Sequence, residues 1–183
     1  MNKIAKKILI FGISLIALSF LLLIHFEWEE KYSKRESNNI MNKLIDEESK
    51  NEENNLIVIN DLEYIGYIVI PSLDLNLPVS KNFSYSSLKK TPALYYGSVK
   101  NNNLVICGHS YKSHFGYLYK LKKGDEIIFI DVNNNNKYTY KVELVEELES
   151  TDIKEMIESD FDLTLYTCTK DGLRRVTVRC NRI

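Results

Sequence analysis

The stretch TLYTC, residues 164–168, is an alternating, largely apolar run that ends on Cys168. Seven residues later Arg175 opens a second alternating run, RVTV, and far upstream the run LVICGH ends on His109. Alternation with a period of two predicts half-buried β-strands. A thiol, an imidazole and a guanidinium therefore stand at the edges of three predicted strands, and these groups together suit a cysteine acyl-transfer site.

The sequence around these runs has the same strand character. The predicted strands are residues 64–71, 73–79, 104–107, 126–130, 137–144, 162–167 and 173–180. They are rich in β-branched and aromatic side chains and are separated by turn residues. Residues 151–157 predict one short helix, and no strand alternates with a long helix, which argues against a parallel α/β sheet. About seven or eight short strands predict a mainly β domain, closed or sandwich-like, since closure removes exposed strand edges.

The N-terminus predicts a membrane anchor. Lys3, Lys6 and Lys7 precede residues 8–26, which carry no formal charge, and about 20 apolar residues cross a bilayer as a helix. Flanking lysines favour a cytoplasmic N-terminus, with the rest of the chain outside the cell. A cleaved signal peptide is the alternative, but the following EWEE offers no small-residue cleavage site. Residues 1–27 are therefore predicted to be a cytoplasmic tail and an uncleaved, single-pass transmembrane signal anchor.

Residues 28–58 predict a polar stalk or linker between this anchor and a catalytic domain at residues 59–183. The stalk is rich in Glu, Lys, Asn and Ser, and the sparse apolar positions Ile40, Met41, Leu44 and Ile45 could form one face of a short helix. Without a partner, so thin an apolar face buries little surface, which predicts a spacer that is part helix and part disorder. The domain that follows is long enough for a single core.

Composition and motif spacing exclude several classes of function. The formal net charge is −1 and the pI is slightly acidic, so the chain lacks the basic footprint of a nucleic-acid binder. No Cys-x-x-Cys, His-Glu-x-x-His, EF-hand or glycine-rich phosphate motif is present. We therefore expect no cofactor, no metal site and no nucleic-acid partner.

Three cysteines on an extracellular domain leave at least one unpaired within the chain. Cys168 is the best candidate for a free thiol, because a strand end lets its side chain reach a cleft. A neighbouring guanidinium or imidazolium would favour the reactive thiolate. From spacing alone, a disulfide or an inert buried thiol remains open for Cys168. Cys107 is interpreted first as a small core residue, with a modulating thiol or a geometrically possible bridge to Cys180 as alternatives.

The candidate base and cation each have a competitor. His109 follows a strand and a glycine, which leaves its imidazole at a rim, whereas His114 lies in a more polar loop and ranks below it. Arg174 and Arg175 are adjacent, so in a strand their side chains point to opposite faces. If the last two strands form a hairpin, Arg175 comes near Cys168 and is the preferred cation.

These motifs resemble those of the sortase family, the membrane-anchored cysteine transpeptidases of Gram-positive bacteria. The run at 164–168 is similar to the family's T-L-x-T-C motif, Gly108 with His109 to its G-H, and Arg175 to the basic residue that opens its final strand. The resemblance spans nearly the whole domain with the motifs in the same order. It implies a closed, sortase-like β-barrel of about eight strands with short helices.

The same resemblance implies a mechanism. Cys168 would attack the backbone carbonyl after the threonine of an L-P-x-T-G-like sorting signal, and an amine would resolve the acyl-enzyme. His109 would act as general acid and base, and Arg175 would hold the substrate or the developing oxyanion. Thr167 and Thr164 would contact the substrate.

The resemblance also implies partners and a location. The substrates would be surface proteins that bear the sorting signal, the acceptor a cell-wall precursor or peptidoglycan amine, and the site the outer face of the plasma membrane. Compact size and the segment from Gly108 to Asp125 are nearer to the class B or class D type, and the short loop after Cys168 departs from the longer one of the best-known housekeeping type. Two alternatives remain: a cysteine peptidase that hydrolyses the same acyl-enzyme, and an anchored β-domain that only binds a surface partner.

Overall fold

A computed structural model describes residues 2–49 and 57–183. The strands are β1 (Ile57–Ile59), β2 (Leu62–Ile70), β3 (Leu75–Ser80), β4 (Ala93–Tyr96), β5 (Leu104–Cys107), β6 (Glu126–Asp131), β7 (Asn136–Glu149), β8 (Leu163–Cys168) and β9 (Arg174–Arg182). The α-helices are α1 (Lys3–Glu48), α2 (Tyr85–Leu88) and α3 (Ile153–Ile157). Single 3₁₀ turns cover Pro71–Leu73 and Leu118–Lys120. The chain divides into two compact units, of which the first ends at Tyr32 and the second is Ser33–Ile183.

Eight strands form a closed ring in the order β2-β3-β4-β5-β8-β9-β7-β6, and pairing of β2 with β6 closes it. The short β1 pairs with β2 outside this ring. The β3–β4 and β5–β8 pairs are parallel, and the other pairs are antiparallel. The prediction of a closed, eight-stranded, mainly β fold is confirmed.

Strand alternation divides the side chains between the barrel interior and its outer face. Leu163 and Leu165 of β8 point into the main core, whereas Tyr166 packs in an outer cluster with Cys107. Because successive strand residues point to opposite faces, Cys168 shares the outer face with Tyr166. The end of β8 therefore presents its cysteine outside the barrel, where Cys168 is exposed.

Arg179 of β9 binds the α3 segment to this outer face through hydrogen bonds. It is buried, and its guanidinium donates to Glu146 Oε1 at 2.8 Å, to the Glu155 carbonyl at 2.9 Å and to Thr164 Oγ1 at 3.1 Å. Met156 of α3 is buried in a cluster with Val105 and Leu148. A buried cation with this many acceptors is satisfied, so α3 is held firmly on the sheet.

The second half of α1, Ser33–Glu48, belongs to the barrel unit. Ile40 and Leu44 are buried in a cluster with Ile57, Ile59, Tyr64 and Val132. Burying an aliphatic side chain of this size contributes roughly 1.5–3 kcal/mol, so the contact stabilises the helix where its polar sequence does not. This packing differs from the solvated spacer predicted for residues 28–58, because the barrel supplies the partner for the thin apolar face. Residues 50–56 of that predicted stalk lie outside the described residues.

The first unit contains the apolar part of α1. Its best 18-residue window has a mean hydropathy of 2.6 and none of it is buried. By length and composition, α1 can cross a membrane, as the sequence predicted, and it suits a membrane anchor.

Candidate active site

The ends of β5 and β8 bring the predicted histidine and cysteine to the same edge of the barrel. These strands are parallel neighbours in which Cys107 lies opposite Tyr166. The Gly108 N–H extends the pairing by donating to the Tyr166 carbonyl at 3.1 Å. His109 therefore follows β5 at the edge where Cys168 ends β8.

The hairpin of β8 and β9 brings Arg175 to the same edge. Cys168 and Arg175 are directly opposite each other in the antiparallel register, which the seven-residue spacing predicted. The guanidinium Nη1 of Arg175 donates to the carbonyls of Gly172 at 3.2 Å and Arg174 at 3.0 Å. The connecting loop thus binds the guanidinium at the start of β9, where the first strand residues pair with the end of β8.

The same loop is closed by side-chain bonds. Asp171 accepts the Thr169 hydroxyl and the Leu173 N–H, and Thr169 Oγ1 accepts the Arg174 N–H at 3.0 Å. The Thr169 hydroxyl and the Leu173 N–H hold the pKa of the Asp171 carboxyl below its usual range. These bonds fix the short loop between Cys168 and β9.

The Arg174 side chain pairs with carboxylates of β7. Its guanidinium lies 3.0 Å from Glu149 and 3.6 Å from Glu147 on β7, and its partner in the β7–β9 register is Glu149. The sequence favoured Arg175 over Arg174 as the cation near Cys168. The strand register agrees, since Arg175 is the arginine opposite Cys168.

A compact turn carries His109. The Phe115 N–H donates to the His109 carbonyl at 3.1 Å, and the buried Phe115 ring lies under Gly108. A Cβ on Gly108 would stand 2.6 Å from that ring, and one on Gly116 would stand 2.5 Å from the Ser110 carbonyl. Only glycine permits these approaches, so the G-H pair in the sequence reflects close packing beneath the histidine.

Tyr111 and His114 were missed as parts of the site, although His114 was weighed as a competing imidazole. The Tyr111 ring stacks on the His109 ring with centroids 3.9 Å apart and planes at 14°. His114 has 0% exposure, and its Nε2 lies 3.1 Å from Ser33 Oγ in α1. His114 is therefore an interior residue, which removes it as the accessible imidazole. Spacing offered no signal for either contact.

The buried His114 predicts a pH-dependent stability. Burial, and next the charge of nearby His109, lower the pKa of His114 to about 4, against a small opposing effect of the Lys90 carbonyl. An unfolded histidine has a pKa of about 6.5, so the unfolded chain takes up the proton first as pH falls. The free energy of unfolding therefore decreases by about 3 kcal/mol as the pH falls from about 6.5 to about 4, because only the unfolded chain binds this proton in that range. Above pH about 6.5 the stabilisation is fully present.

Urea unfolding across this pH range measures the effect. His114→Gln should remove the part of the pH dependence of the free energy of unfolding that comes from this histidine. The free energies of unfolding of the variant and the wild type should therefore approach each other as the pH falls towards about 4. A wild-type slope in His114→Gln would show that the residue does not titrate as described.

The two predicted substrate-binding threonines are interior residues. Thr167 is 3% exposed, and its hydroxyl donates to the Gly108 carbonyl at 2.9 Å. Thr164 is 1% exposed and accepts the Arg179 guanidinium. The prediction of direct substrate contact is corrected here, because neither hydroxyl reaches the surface. Thr167 instead joins the end of β8 to the G-H turn.

Thr167→Val should therefore weaken catalysis through geometry. Loss of the bond to Gly108 leaves a buried carbonyl unsatisfied, a cost of about 1–3 kcal/mol, and it loosens His109 relative to Cys168. Because misplacement of reacting groups by about 1 Å can cost 10²-fold, we expect kcat/KM to fall by roughly 10–100-fold. Thr164→Val is the matched control, with a comparable loss of stability and a smaller loss of activity. Equal losses of activity in both variants would contradict the link.

The remaining cysteines are free and inaccessible. Cys107 is buried on the outer face near the Ala93 carbonyl, and burial raises its pKa to about 12. Cys180 lies in the main core, where burial raises its pKa above the usual range of a thiol. The two belong to separate clusters on opposite faces of the sheet, so the bridge between them is ruled out in this fold. Cys168 is the exposed thiol.

Metal ligands do not converge in the part of the chain that the structure describes. No group of three or more His, Cys, Asp or Glu side chains is placed to hold a metal ion among residues 2–49 and 57–183.

Comparisons with known proteins agree with the arrangement. A family model described as the sortase domain matches residues 68–183. Sortase A of Bacillus anthracis is 35% identical over 129 residues, which are 63% of this chain and 58% of that protein. Sortase A of Listeria monocytogenes is 30% identical over 112 residues, 58% of this chain and 50% of that protein. The chain thus aligns with little more than half the length of these curated relatives.

Solved structures show the same fold. Sortase C1 from Streptococcus agalactiae superimposes with a TM-score of 0.59 at 28% identity, covering 69% of this chain and 70% of that one. Listeria monocytogenes sortase A gives 0.60 at 25% identity, covering 66% and 87%. The resemblance to class B or class D stays a prediction. The family match extends over more than half of the chain and includes every strand-end motif described above, and the chain belongs to the sortase family.

Proposed function

We propose that this chain is a membrane-anchored cysteine transpeptidase that cleaves an L-P-x-T-G-like sorting signal after its threonine. The observation that carries the proposal is the convergence of Cys168, His109 and Arg175 at one end of the barrel. The three lie far apart in sequence, and separate strands position each of them.

In the first half-reaction, the Cys168 thiolate attacks the carbonyl carbon of the threonine. The C–N bond to the following glycine breaks, and a thioester to Sγ remains. The protonated His109 gives its proton to the leaving amine, which departs neutral. The Thr167 bond to Gly108 supports this step because it joins the residue before Cys168 to the residue before His109.

In the second half-reaction, a cell-wall amine attacks the thioester. His109, now neutral, accepts a proton from the incoming amine, and the C–S bond breaks to release the thiolate. A new amide joins the surface protein to the cell-wall precursor. Hydrolysis is the same step with water as the nucleophile, so the two outcomes differ only in the acceptor.

Arg175 stabilises the charge that develops on the carbonyl oxygen. Its guanidinium offers five N–H donors in one plane, and the bonds from Nη1 to Gly172 and Arg174 fix that plane against the loop that joins β8 to β9. Donors fixed before the reaction lower the barrier more than mobile ones, because no reorganisation is needed as charge forms.

The proposed setting follows from the first half of α1. The helix would cross the plasma membrane with its lysine-flanked end in the cytoplasm, as flanking lysines favour. The barrel would then face the cell wall, where surface proteins with sorting signals and peptidoglycan amines are both available.

Mass spectrometry of the products tests the proposal. The full chain in detergent micelles is given L-P-x-T-G peptides, with and without oligoglycine or a diaminopimelate-type amine. A ligated product with the glycine released supports transpeptidation, and a product ending in threonine alone, even with amine present, indicates a hydrolase. No cleavage and no thioester adduct on Cys168 with any peptide would reject the enzymatic proposal in favour of a binding domain.

A further inference from the structure

The second half of α1 reaches the histidine turn through one buried contact. Ser33 is buried, and its hydroxyl lies 3.1 Å from Nε2 of the fully buried His114. These residues are far apart in the chain, so the contact exists only because the helix packs on the barrel. It is a polar bond in the interior, where its loss is costly.

His114 is in turn packed against the residues that carry the active imidazole. The Tyr111 ring lies 5.8 Å from the His114 ring and stacks on His109 at 3.9 Å. The His114 N–H and the Gly116 N–H both donate to the Tyr111 carbonyl, at 3.0 and 2.8 Å. The backbone of Tyr111 is thus fixed from the side that faces His114, while its ring covers one face of His109.

The helix itself is held in place independently of this polar contact. Ile40 and Leu44 are buried against β1 and β2, about two and three turns beyond Ser33. Ser37, between them and Ser33, is also buried, and its hydroxyl has no hydrogen-bond partner among the described residues. Ser33 therefore approaches His114 from a rigid, packed support.

We propose that Ser33, His114 and Tyr111 position the His109 imidazole, so that the second half of α1 is part of the catalytic architecture. The catalytic consequence rests on the proposed function, whereas the positioning itself is a property of the fold. Ser33 orients the His114 ring, and the His114 ring packs against Tyr111. The Tyr111 ring in turn sets the plane of the His109 ring. None of the three touches the substrate in this scheme, so all three are positioning residues.

The stack has a direct physical reason to matter. The imidazole–Cα linkage has two rotatable torsions, and proton transfer needs one ring orientation with a nitrogen facing the reacting groups. A parallel ring at 3.9 Å excludes most rotations about the second torsion. Without it the imidazole spends less time in the productive orientation, which lowers kcat and leaves substrate affinity unchanged.

Nuclear magnetic resonance of the full chain in detergent micelles, with ¹³C at histidine Cε1, tests the positioning without any turnover. Substitutions at His25 and His114 assign the three signals. Tyr111→Leu should move the His109 signal downfield, because the ring current of the stacked tyrosine is lost, and Tyr111→Phe should leave it near its wild-type position. Ser33→Ala should move the His114 and His109 signals, and the matched control Ser37→Ala should move neither.

Turnover is the second readout. Tyr111→Leu and Ser33→Ala should lower kcat by about 10-fold with KM unchanged, Tyr111→Phe should restore at least half of the activity, and Ser37→Ala should match wild type. An unmoved His109 signal in Tyr111→Leu, or identical behaviour of Ser33→Ala and Ser37→Ala, would overturn the inference. If wild type turns over no peptide, the proposed function fails while the resonance shifts still decide the positioning.

Discussion

Cys168→Ala should abolish turnover, by roughly 10⁴-fold or more, while the barrel stays folded. Loss of the nucleophile removes the covalent route entirely, and in enzymes of this kind one such change costs about as much as removal of the whole catalytic group. The fold should survive because the side chain is exposed at the end of β8 and takes no part in the core. Circular dichroism and urea unfolding check the fold, and product analysis checks turnover.

Cys107→Ala is the matched control. Cys107 lies opposite Tyr166 near the same edge but is buried, so its loss should reduce stability modestly and leave the chemistry intact. Iodoacetamide should modify one thiol per folded chain, since burial raises the pKa of both Cys107 and Cys180. Full activity in Cys168→Ala, or labelling that persists in it at the wild-type rate, would remove the proposed mechanism.

Arg175→Ala should lower kcat/KM by about 10²–10³-fold, the loss expected when one preorganised donor to a developing oxyanion is removed. Arg175→Lys should recover only part of this, because an ammonium cannot bond two loop carbonyls and still present a planar set of donors. The loss should fall mainly on kcat, since the charge that Arg175 stabilises forms in the transition state.

Arg174→Ala is the neighbouring control. Arg174 pairs with Glu147 and Glu149 at the surface, and exposed ion pairs contribute only about 0–1 kcal/mol. We expect a small change in stability and a change in turnover of less than about 3-fold. If Arg174→Ala is instead the more damaging variant, the catalytic cation is Arg174 and the assignment from strand register is wrong.

Much of this architecture was predictable because the informative features are local. Alternation around Cys168 and Arg175 predicted two strands, and a short connection between strands forces an antiparallel pair whose register follows from the loop length. Many short strands without long helices predicted a closed or sandwich-like β domain, and the family resemblance implied the closed barrel. The meeting of His109 with Cys168 was harder, since it depends on the parallel pairing of β5 with β8, and there the family resemblance supplied what periodicity could not.

The parts that sequence reasoning missed depend on tertiary partners. β4 is absent from the predicted strands, because a four-residue strand carries too short a pattern to detect. The second half of α1 was interpreted as a spacer because its apolar face is thin, and only the barrel surface makes that face sufficient. Thr164 and Thr167 were assigned to the substrate from their motif, although burial and internal hydrogen bonds give them structural contacts.

Closure of the ring has a consequence for how a peptide can be recognised. β5, β8 and β9, which carry the reactive edge, each have a neighbour on both sides, so an incoming segment cannot add to the sheet as an extra strand in the manner of β-augmentation. Selectivity must then come from side-chain pockets and a few main-chain contacts at the strand ends. A proline in the bound segment loses no hydrogen bond there, because no interstrand bond to its backbone nitrogen would form in any case. Its restricted backbone then favours proline over other residues.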